Sequence, residues 1–251
     1  MFYGDLSGDR AARFHAALDL FQEIFGSVYA QDNLIGLQRS AGFERDPRFR
    51  AAFDAHAITE QQKSLMWRLH TLIWSAKSCL DVPGDFVECG VWHGFSFAVI
   101  TEYLRFETVN KHLYLYDTFR GIPEALNSEN RSNAVYQRET EVDPDATVKQ
   151  VREVFAGFPN VEIVQGIVPD TFAEACPDAI SFLHLDMNSV ASEIAALEHL
   201  YDRLSPGAMV VLDDYGWTGY GAQKQAEDAF FAAKGQMVLE LPTGQGLVLK
   251  R

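Results

Sequence analysis

Short apolar runs alternate with helical patterns from about residue 85 to the end of the chain. Seven runs have the length of strands, and they span residues 85–89, 112–116, 161–165, 180–185, 208–212, 236–240 and 246–250. This alternation is typical of parallel strands covered by helices on both faces. The short gap between the last two runs favours a hairpin. We therefore predict a doubly wound, Rossmann-like α/β fold, with a mostly parallel seven-stranded sheet that ends in a C-terminal antiparallel hairpin.

The N-terminal part of the chain has a different pattern. Apolar residues recur at helical spacing from Asp9 to Phe25, and a polar, Arg-rich passage follows from Gln31 to Arg50. A second helical pattern runs from Thr59 to about Leu80. We therefore predict a helical N-terminal cap over residues 1–58 and a main domain over residues 59–251.

Charge and composition exclude several classes of partner. The formal net charge is −14 and the sequence pI is near 4.8, so most of the surface repels polyanions such as nucleic acids and anionic membranes. The sequence shows neither a run of about 18 apolar residues nor a secretory leader pattern, so we expect a cytoplasmic protein. Cys79, Cys89 and Cys176 lack metal-site or disulfide spacing and are interpreted as core thiols.

The first candidate for chemistry is the turn after the first strand of the sheet. Glu88, Gly90 and Gly94 form an E-x-G-x-x-x-G pattern that opens into a helical segment. Glycine lets a backbone approach a ligand closely, although glycines in such turns also serve packing. The doubled glycine of a dinucleotide fingerprint is missing, which favours a smaller nucleoside with a cationic sulfonium over a pyrophosphate.

An acidic residue follows the second strand. Asp117 has the position from which a carboxylate accepts hydrogen bonds from the two hydroxyls of a ribose. The alternative is that Asp117 stabilises a turn or a helix start.

Three further carboxylates follow two later strands. Asp186 ends the run 180–185, and Asp213 and Asp214 end the run 208–212. If these strands are neighbours, the three groups meet at the carboxyl edge of the sheet, where α/β folds bind ligands. Clustered carboxylates suit Mg²⁺, Mn²⁺ or Ca²⁺ better than zinc. Capping of the following helices is the alternative role, and it explains any one of the three more easily than all of them.

The segment from Gly121 to Asp143 breaks the alternation. It is polar and longer than a plain connector, so we interpret it as a candidate substrate lid, with an insertion that has no function as the alternative.

Three segments together resemble the macrocin O-methyltransferase-like family, whose members methylate sugar hydroxyls. They are Pro83 to Trp92, Asp117 to Pro123, and Leu204 to Tyr215. The resemblance covers roughly residue 59 to the C-terminus. It implies a class I methyltransferase fold, S-adenosylmethionine as methyl donor, and a divalent cation, Mg²⁺ by preference, held by Asp186, Asp213 and Asp214.

On this basis we expect the cofactor to contact residues of the first turn and of the next two strand ends. They are Glu88, Gly90, Val91, Trp92, Gly94, Ser96, Asp117, Thr118, Gln165 and Gly166. The expected partner is a small-molecule acceptor such as a sugar or glycoside, and the resemblance favours a homodimer or a larger homo-oligomer.

The sequence departs from the family at one position. The family's D-x-D-x-Y run, whose second aspartate is thought to be the general base, reads Asp186-Met187-Asn188-Ser189-Val190. Asn188 cannot take a proton. Asp186 and His93 are therefore our candidate catalytic residues, since His93 lies beside the cofactor turn and has a near-neutral ordinary pKa. His184, two residues before Asp186, suits an outer partner of the site better than a base.

The sequence thus predicts a metal-assisted O-methyltransferase that acts on a sugar or another small polar metabolite. Asn188 leaves open a degenerate protein that binds S-adenosylmethionine as a sensor or partner. A nucleotide-dependent oxidoreductase is the other alternative, and the missing glycine argues against it.

Overall fold

The N-terminal 71 residues form the smaller of two compact units. In the computed structural model, which describes residues 2, 6–127, 143 and 145–251, the chain divides into residues 1–71 and 72–251. The elements at the start of the chain are α1 (Gly8–Phe25), β1 (Val28–Gln31), β2 (Leu34–Leu37), α2 (Pro47–His56), α3 (Glu60–Ser64) and α4 (Met66–Ser78), the last of which continues into the second unit.

The predicted helical cap also contains a β-hairpin. Strands β1 and β2 pair antiparallel from Val28↔Leu37 to Gln31↔Leu34. The two turn residues, Asp32 and Asn33, have φ values of 52° and 55°. Positive φ at both central residues is typical of the type I′ turn, which matches the twist of the strands it joins.

The helices of the first unit begin at residues with suitable side chains. Asp46 accepts hydrogen bonds from the backbone N–H of Arg48 at 2.9 Å and of Phe49 at 3.2 Å, which stabilises the start of α2. Thr59 and Gln62 form a capping box at the start of α3. The helical pattern predicted from Thr59 to Leu80 is present but breaks at Leu65.

Aromatic rings pack together in the first unit. The ring centroids of Tyr29 and Trp67 lie 4.9 Å apart, and Phe43 lies 5.2 Å from Trp67 and 4.7 Å from His70. Beside this cluster, the buried Arg68 pairs with Asp32 at 3.1 Å. The unit therefore has its own small core and a buried ion pair.

The second unit contains the seven-stranded sheet that the alternating pattern predicts. Its strands are β3 (Asp85–Cys89), β4 (Leu113–Asp117), β5 (Val161–Gln165), β6 (Ile180–Leu185), β7 (Leu204–Leu212), β8 (Leu239–Glu240) and β9 (Gly246–Leu249). The order across the sheet is β5-β4-β3-β6-β7-β9-β8. The first five strands in this order are parallel, and β9 is antiparallel to both of its neighbours. The predicted fold class is confirmed.

Helices cover both faces of this sheet. They are α5 (Phe95–Leu104), α6 (Ala146–Val154), α7 (Val190–Leu200) and α8 (Gly221–Ala233). Every residue of the central strand β6 is buried, as expected for a strand with helices on both sides. The core below the site packs side chains of β3, β6 and β7 against α7.

Two strand boundaries differ from the predicted ones. Strand β7 begins at Leu204 instead of residue 208, because Leu204 already pairs with Ile180. The run predicted over 236–240 forms only the two-residue β8, because the backbone N–H of Gln236 bonds Phe231 at the end of α8 instead of the sheet.

Two further expectations concern membrane spans and the cysteines. No helix among the described residues is long and apolar enough to cross a membrane. Cys79, Cys89 and Cys176 are free thiols, and the first two are buried.

Candidate active site

The carboxyl ends of β3, β6 and β7 lie side by side and carry the predicted acidic residues. The sheet hydrogen bonds continue past the strands, because Asp186 N donates to Cys89 O at 2.8 Å and Asp213 N donates to Leu185 O at 2.9 Å. This ladder places Asp186 and Asp213 on adjacent strand ends. The structure therefore brings together two of the three carboxylates that we predicted to converge.

A buried histidine lies between two carboxylates directly beneath this edge. The Nδ1 atom of His184 lies 3.0 Å from Oε1 of Glu88, and its Nε2 atom lies 3.5 Å from Oδ1 of Asp213. His184 and Glu88 are at most 2% exposed. Glu88, predicted to contact the cofactor, has its carboxylate turned into the protein toward His184.

The two carboxylates keep His184 charged. Burial alone would lower the pKa of His184, but its bonds with Asp213 and Glu88 outweigh burial and raise that pKa to about 10. Burial raises the pKa of Glu88 to about 7, against the opposite effect of His184. Between about pH 7 and pH 10 the pair is therefore an imidazolium next to a carboxylate, and both ring nitrogens are donors.

Asp186 is held by the residue that replaces the family's second aspartate. The Nδ2 atom of Asn188 donates to Oδ1 of Asp186 at 3.3 Å, and the hydroxyl of Tyr220 donates to Oδ1 of Asn188. Asn188 has a φ of 55°, a left-handed conformation that asparagine tolerates better than most residues. The amide therefore connects Tyr220 to the Asp186 carboxylate.

The donor atoms at this edge fit a divalent cation. Potential ligand atoms of His184, Asp186 and Asp213 lie within 4.8 Å of one another. A protonated His184 has no lone pair to offer a metal. The remaining potential ligands are the carboxylate oxygens of Asp186 and Asp213, which suit Mg²⁺ or Mn²⁺. Asp214, the third predicted ligand, follows Asp213 and is also buried, but it is not part of this close group.

Further buried acids surround the predicted ligands. Glu193 on α7 and Glu227 on α8 are fully buried. Burial raises the pKa of Glu227 to about 7, with contributions from neighbouring acids that include Asp214. Burial also raises the pKa of Glu193, to which Glu227 and Asp213 add. A raised pKa favours the neutral acid, so these two side chains add less negative charge to the site than ordinary glutamates would.

Glu193 is a site residue that our sequence analysis missed. Its Oε1 atom accepts the backbone N–H of Met187 at 3.1 Å, and its Oε2 atom accepts from Nε2 of Gln223 at 2.9 Å. It therefore stabilises the turn between Asp186 and Asn188 through a hydrogen bond from α7. The available signal was a glutamate at helical spacing from apolar residues that share its buried face, namely Ala196, Leu197 and Leu200.

Gly90 is required by packing between strand ends. It has a φ of 92°, and a Cβ atom at this position would lie 1.9 Å from the carbonyl oxygen of Asp186. Gly94, four residues later, has a φ of 76°, and its Cβ would lie 2.9 Å from the ring of Phe155. Packing therefore accounts for both glycines without a ligand, and their contact with a cofactor stays a prediction.

Asp117 organises the turn that follows β3. Its Oδ2 atom accepts the backbone N–H groups of Val91 at 2.7 Å and of Trp92 at 2.8 Å, and its Oδ1 atom accepts that of Phe119 at 2.6 Å. These bonds hold the end of β4 against the turn after β3. The turn-stabilising role that we left open for Asp117 is thus present, and its ribose contact stays a prediction.

The other predicted cofactor residues lie around the same turn. Ser96 is in the first turn of α5, and Thr118 donates its hydroxyl to the carbonyl of Gly121 at 2.7 Å. Gln165 pairs with Asp117 at the end of β5, and Gly166 N donates to Asp117 O at 2.9 Å. The carboxyl ends of β3, β4 and β5 therefore bring the predicted cofactor residues to one edge of the sheet.

His93, our candidate base, follows Trp92 in the turn after β3. It is in the turn before α5, and its ring meets that of Trp92 edge-on at a centroid distance of 4.8 Å. It does not belong to the group that contains Asp186 and Asp213. Its predicted role as a base stays a prediction.

The candidate lid lies mostly outside the described residues. Its described beginning contains a short turn, Glu124–Leu126, and Ser189 donates its hydroxyl to the carbonyl of Leu126 at 2.7 Å. Arg120 and Asp145, which flank the segment, form an ion pair at 2.8 Å. The contact through Ser189 brings the start of the segment next to the turn that carries Asp186.

Comparison with known proteins finds a family model that covers most of the chain. A family model described as Macrocin-O-methyltransferase (TylF) matches residues 5–236. Mycinamicin III 3''-O-methyltransferase of Micromonospora griseorubida is 27% identical over 213 residues, which are 79% of this chain and 82% of that protein.

A second curated relative and a solved structure extend the comparison. The 8-demethyl-8-(2,3-dimethoxy-alpha-L-rhamnosyl)-tetracenomycin-C 4'-O-methyltransferase of Streptomyces olivaceus is 31% identical over 156 residues, or 59% of this chain and 60% of that protein. The structure of the O-methyltransferase NovP matches with a TM-score of 0.64 at 20% identity, covering 94% of this chain and 98% of that one. The structural match supports the fold described above.

Proposed function

Since the chain belongs to the macrocin O-methyltransferase family, we propose that it methylates a hydroxyl of a sugar or glycoside with the help of a divalent cation. The family makes the chain an S-adenosylmethionine-dependent methyltransferase. The observation that carries the finer proposal is the convergence of Asp186 and Asp213 at the carboxyl edge of the sheet, beside the turn that Asp117 holds.

The donor site is proposed at the ends of β3, β4 and β5. S-adenosylmethionine supplies an electrophilic methyl group on a sulfonium. Asp117 fixes the backbone of Val91 and Trp92, so the turn has one shape before a ligand arrives. The buried Glu88 supports the strand beneath the same turn through its contact with His184.

The cation site is proposed next to it, with Asp186, Asp213 and Asp214 as ligands. When bound, the cation would make the acceptor hydroxyl more acidic and orient it. Asp213 is positioned by its backbone bond to Leu185 and by the charged ring of His184. Asp186 is positioned by Asn188. These contacts fix two of the three proposed ligands before binding.

The acceptor class is inferred from the relatives. Two of them are named for O-methylation at sugar positions or on a rhamnosyl-bearing product. A polar edge lined by carboxylates, an amide and the hydroxyl of Tyr220 suits an acceptor with several hydroxyls. We therefore propose a sugar or glycoside, and a homo-oligomeric assembly on the basis of the resemblance.

The test begins with binding and ends with turnover. The purified protein is titrated calorimetrically with S-adenosylhomocysteine, with and without Mg²⁺, and with NADH as the control. Binding of S-adenosylhomocysteine but not NADH is expected. A panel of nucleotide sugars and glycosides is then assayed with S-adenosylmethionine, with and without EDTA.

Each result has a separate meaning. Methyl transfer that EDTA abolishes supports the whole proposal. Full activity in saturating EDTA contradicts the metal. Binding of S-adenosylhomocysteine without transfer to any acceptor supports the sensor alternative, and binding of NADH alone overturns the methyltransferase function.

A further inference from the structure

A glutamine from the C-terminal hairpin contacts one aspartate of the acidic group. Gln245 lies between β8 and β9 and is fully buried. Its Nε2 atom donates to Oδ1 of Asp213 at 2.9 Å, and its Oε1 atom accepts from the hydroxyl of Thr243 at 3.0 Å. Both polar ends of the amide are therefore used inside the protein.

The chemistry of the partners fixes which way the amide points. An ionised carboxylate only accepts, so the nitrogen of Gln245 has to face Asp213. The oxygen then faces Thr243, whose hydroxyl is able to donate. Rotating the amide by half a turn would place an oxygen against a carboxylate oxygen and lose the bond. Asp213 thus sets the direction of the amide, and Thr243 satisfies its oxygen.

The loop that carries Gln245 is itself fixed against the turn after β7. Gly216 N donates to Gly244 O at 2.7 Å, and Leu241 N donates to Gln245 O at 2.8 Å. A Cβ atom at Gly244 would lie 2.5 Å from Nε1 of Trp217. The loop therefore packs closely on the residues that follow Asp213 and Asp214, and it presents Gln245 from a rigid backbone.

We infer that Gln245 is a positioning residue, which orients the Asp213 carboxylate for the divalent cation through a hydrogen bond that Thr243 supports from the other end of the amide. The inference rests on the metal site of the proposed function. Oδ1 of Asp213 meets Gln245 on one side and the ring of His184 on the other. The hydrogen bond from Gln245 restricts the plane of the carboxylate, which matters because ligand geometry controls metal affinity.

A purely structural role would have a different signature. Gln245 also satisfies a buried carboxylate, so its loss lowers stability whether or not it positions a ligand. Metal affinity separates the two roles, because a residue that only stabilises the hairpin leaves the affinity of the folded protein unchanged. Removal of an outer partner of a metal ligand typically weakens binding by about 10–100-fold.

The hairpin region offers a matched control. Gln236 also makes two hydrogen bonds with its amide, from the hydroxyl of Tyr201 at 2.6 Å and to the carbonyl of Leu249 at 2.9 Å. None of these partners is an acidic residue of the site. Gln236→Met therefore removes the same group as Gln245→Met, away from Asp213.

The experiment measures Mn²⁺ binding by electron paramagnetic resonance and S-adenosylhomocysteine binding by calorimetry, on the full chain. Gln245→Met is expected to weaken Mn²⁺ binding about 10–100-fold, with the affinity for S-adenosylhomocysteine within about twofold of wild type. Gln236→Met should leave both affinities unchanged. Thr243→Val, which keeps the size of the side chain, should weaken Mn²⁺ binding by a smaller factor and decides the matter if Gln245→Met does not fold.

The outcomes separate this inference from the function on which it rests. Unchanged Mn²⁺ affinity in Gln245→Met, or in Thr243→Val if only that variant folds, overturns the inference and leaves the proposed function standing. An equal loss in Gln236→Met also overturns it. A wild-type protein that binds S-adenosylhomocysteine but no Mn²⁺ removes the metal from the proposed function and this inference with it.

Discussion

His184 donates from Nδ1 to Oε1 of Glu88 across 3.0 Å, and neither side chain has meaningful contact with solvent. The strands that carry them are adjacent, with Glu88 paired to His184 in register. On its other side the ring faces Asp213. The imidazolium thereby joins the strand below the predicted cofactor turn to a predicted metal ligand.

This relationship predicts how stability depends on pH. The pKa of His184 is raised to about 10 from 6.5, so its contribution to stability is complete below about pH 6.5 and is lost as the pH rises through 10. The unfolding free energy of the metal-free protein should therefore fall between about pH 7 and pH 10. Denaturant unfolding at several pH values measures this.

Replacing Glu88 tests the origin of that dependence. Glu88→Gln keeps an acceptor but removes a charge, so it should lower the pKa of His184 and cost about 1–3 kcal/mol of stability near neutral pH. Nitrogen NMR of the ring reports its protonation directly, and His15→Gln on α1 is the control. A His184 that is neutral at pH 8 in the wild type would contradict the assignment.

Gly90 gives a prediction about folding instead of binding. Gly90→Ala would place a Cβ atom 1.9 Å from the Asp186 carbonyl, at a φ of 92°. We expect a loss of about 3 kcal/mol or more, from strain and from displacement of a strand end. Gly157→Ala is the control, since a Cβ there meets nothing within 4 Å. Equal unfolding midpoints for the two variants would mean that the end of β6 shifts to admit the Cβ atom at little cost in stability.

The sheet and the acidic edge could be predicted from sequence because they depend on local patterns. The apolar run Ile180–Leu185 is buried throughout, and the residue after such a strand has to lie at the sheet edge. The same reasoning placed Asp213 after β7. The N-terminal hairpin also had a local signal, Asp32-Asn33 between two short runs, but the surrounding polar residues weakened it.

The remaining contacts could not be predicted because they join residues distant in the chain. Gln245 lies 32 positions from Asp213, and Gln223 lies 30 positions from Glu193. Nothing in a short polar loop distinguishes a glutamine that enters the core from one in solvent. The packing role of Gly90 was similarly hidden, since its neighbour, the Asp186 carbonyl, comes from another strand.

The two binding functions of the edge should be separable by mutation. Asp213→Asn keeps an acceptor for Gln245 but removes a charge, so Mg²⁺ affinity should fall about 100-fold, since even outer partners of ligands are worth about 10–100-fold. Affinity for S-adenosylhomocysteine should stay within about twofold. Calorimetry measures both, with the exposed Asp202→Asn as the control. Loss of both affinities together would mean that Asp213 supports the whole edge.

Asp117 should show the converse separation. In Asp117→Asn only one side-chain atom can still accept, so the bonds to Val91 and Trp92 or the bond to Phe119 must be lost. Affinity for S-adenosylhomocysteine should fall about 10–100-fold, as expected for hydrogen bonds to a charged group. Mg²⁺ affinity should be retained, and Asp170→Asn is the control. If Asp117→Asn binds S-adenosylhomocysteine as tightly as wild type, Asp117 does not contribute to cofactor binding.

Restoring the family's second aspartate should couple stability to the cation. Asn188→Asp tolerates the same left-handed backbone, and its carboxylate can still accept from Tyr220. It replaces a donor 3.3 Å from Oδ1 of Asp186 with a second negative charge. In EDTA the variant should therefore be less stable than wild type by about 1 kcal/mol.

Added Mg²⁺ relieves that repulsion, so the melting temperature of Asn188→Asp should rise more on addition of Mg²⁺ than that of wild type. Thermal melts of both proteins in EDTA and in saturating Mg²⁺ measure the difference. Ca²⁺ and NaCl at matched ionic strength distinguish a bound cation from screening of the charges. An equal rise in both proteins would mean that the side chain at position 188 does not face the cation. The replacement of aspartate by Asn188 would then not affect metal binding.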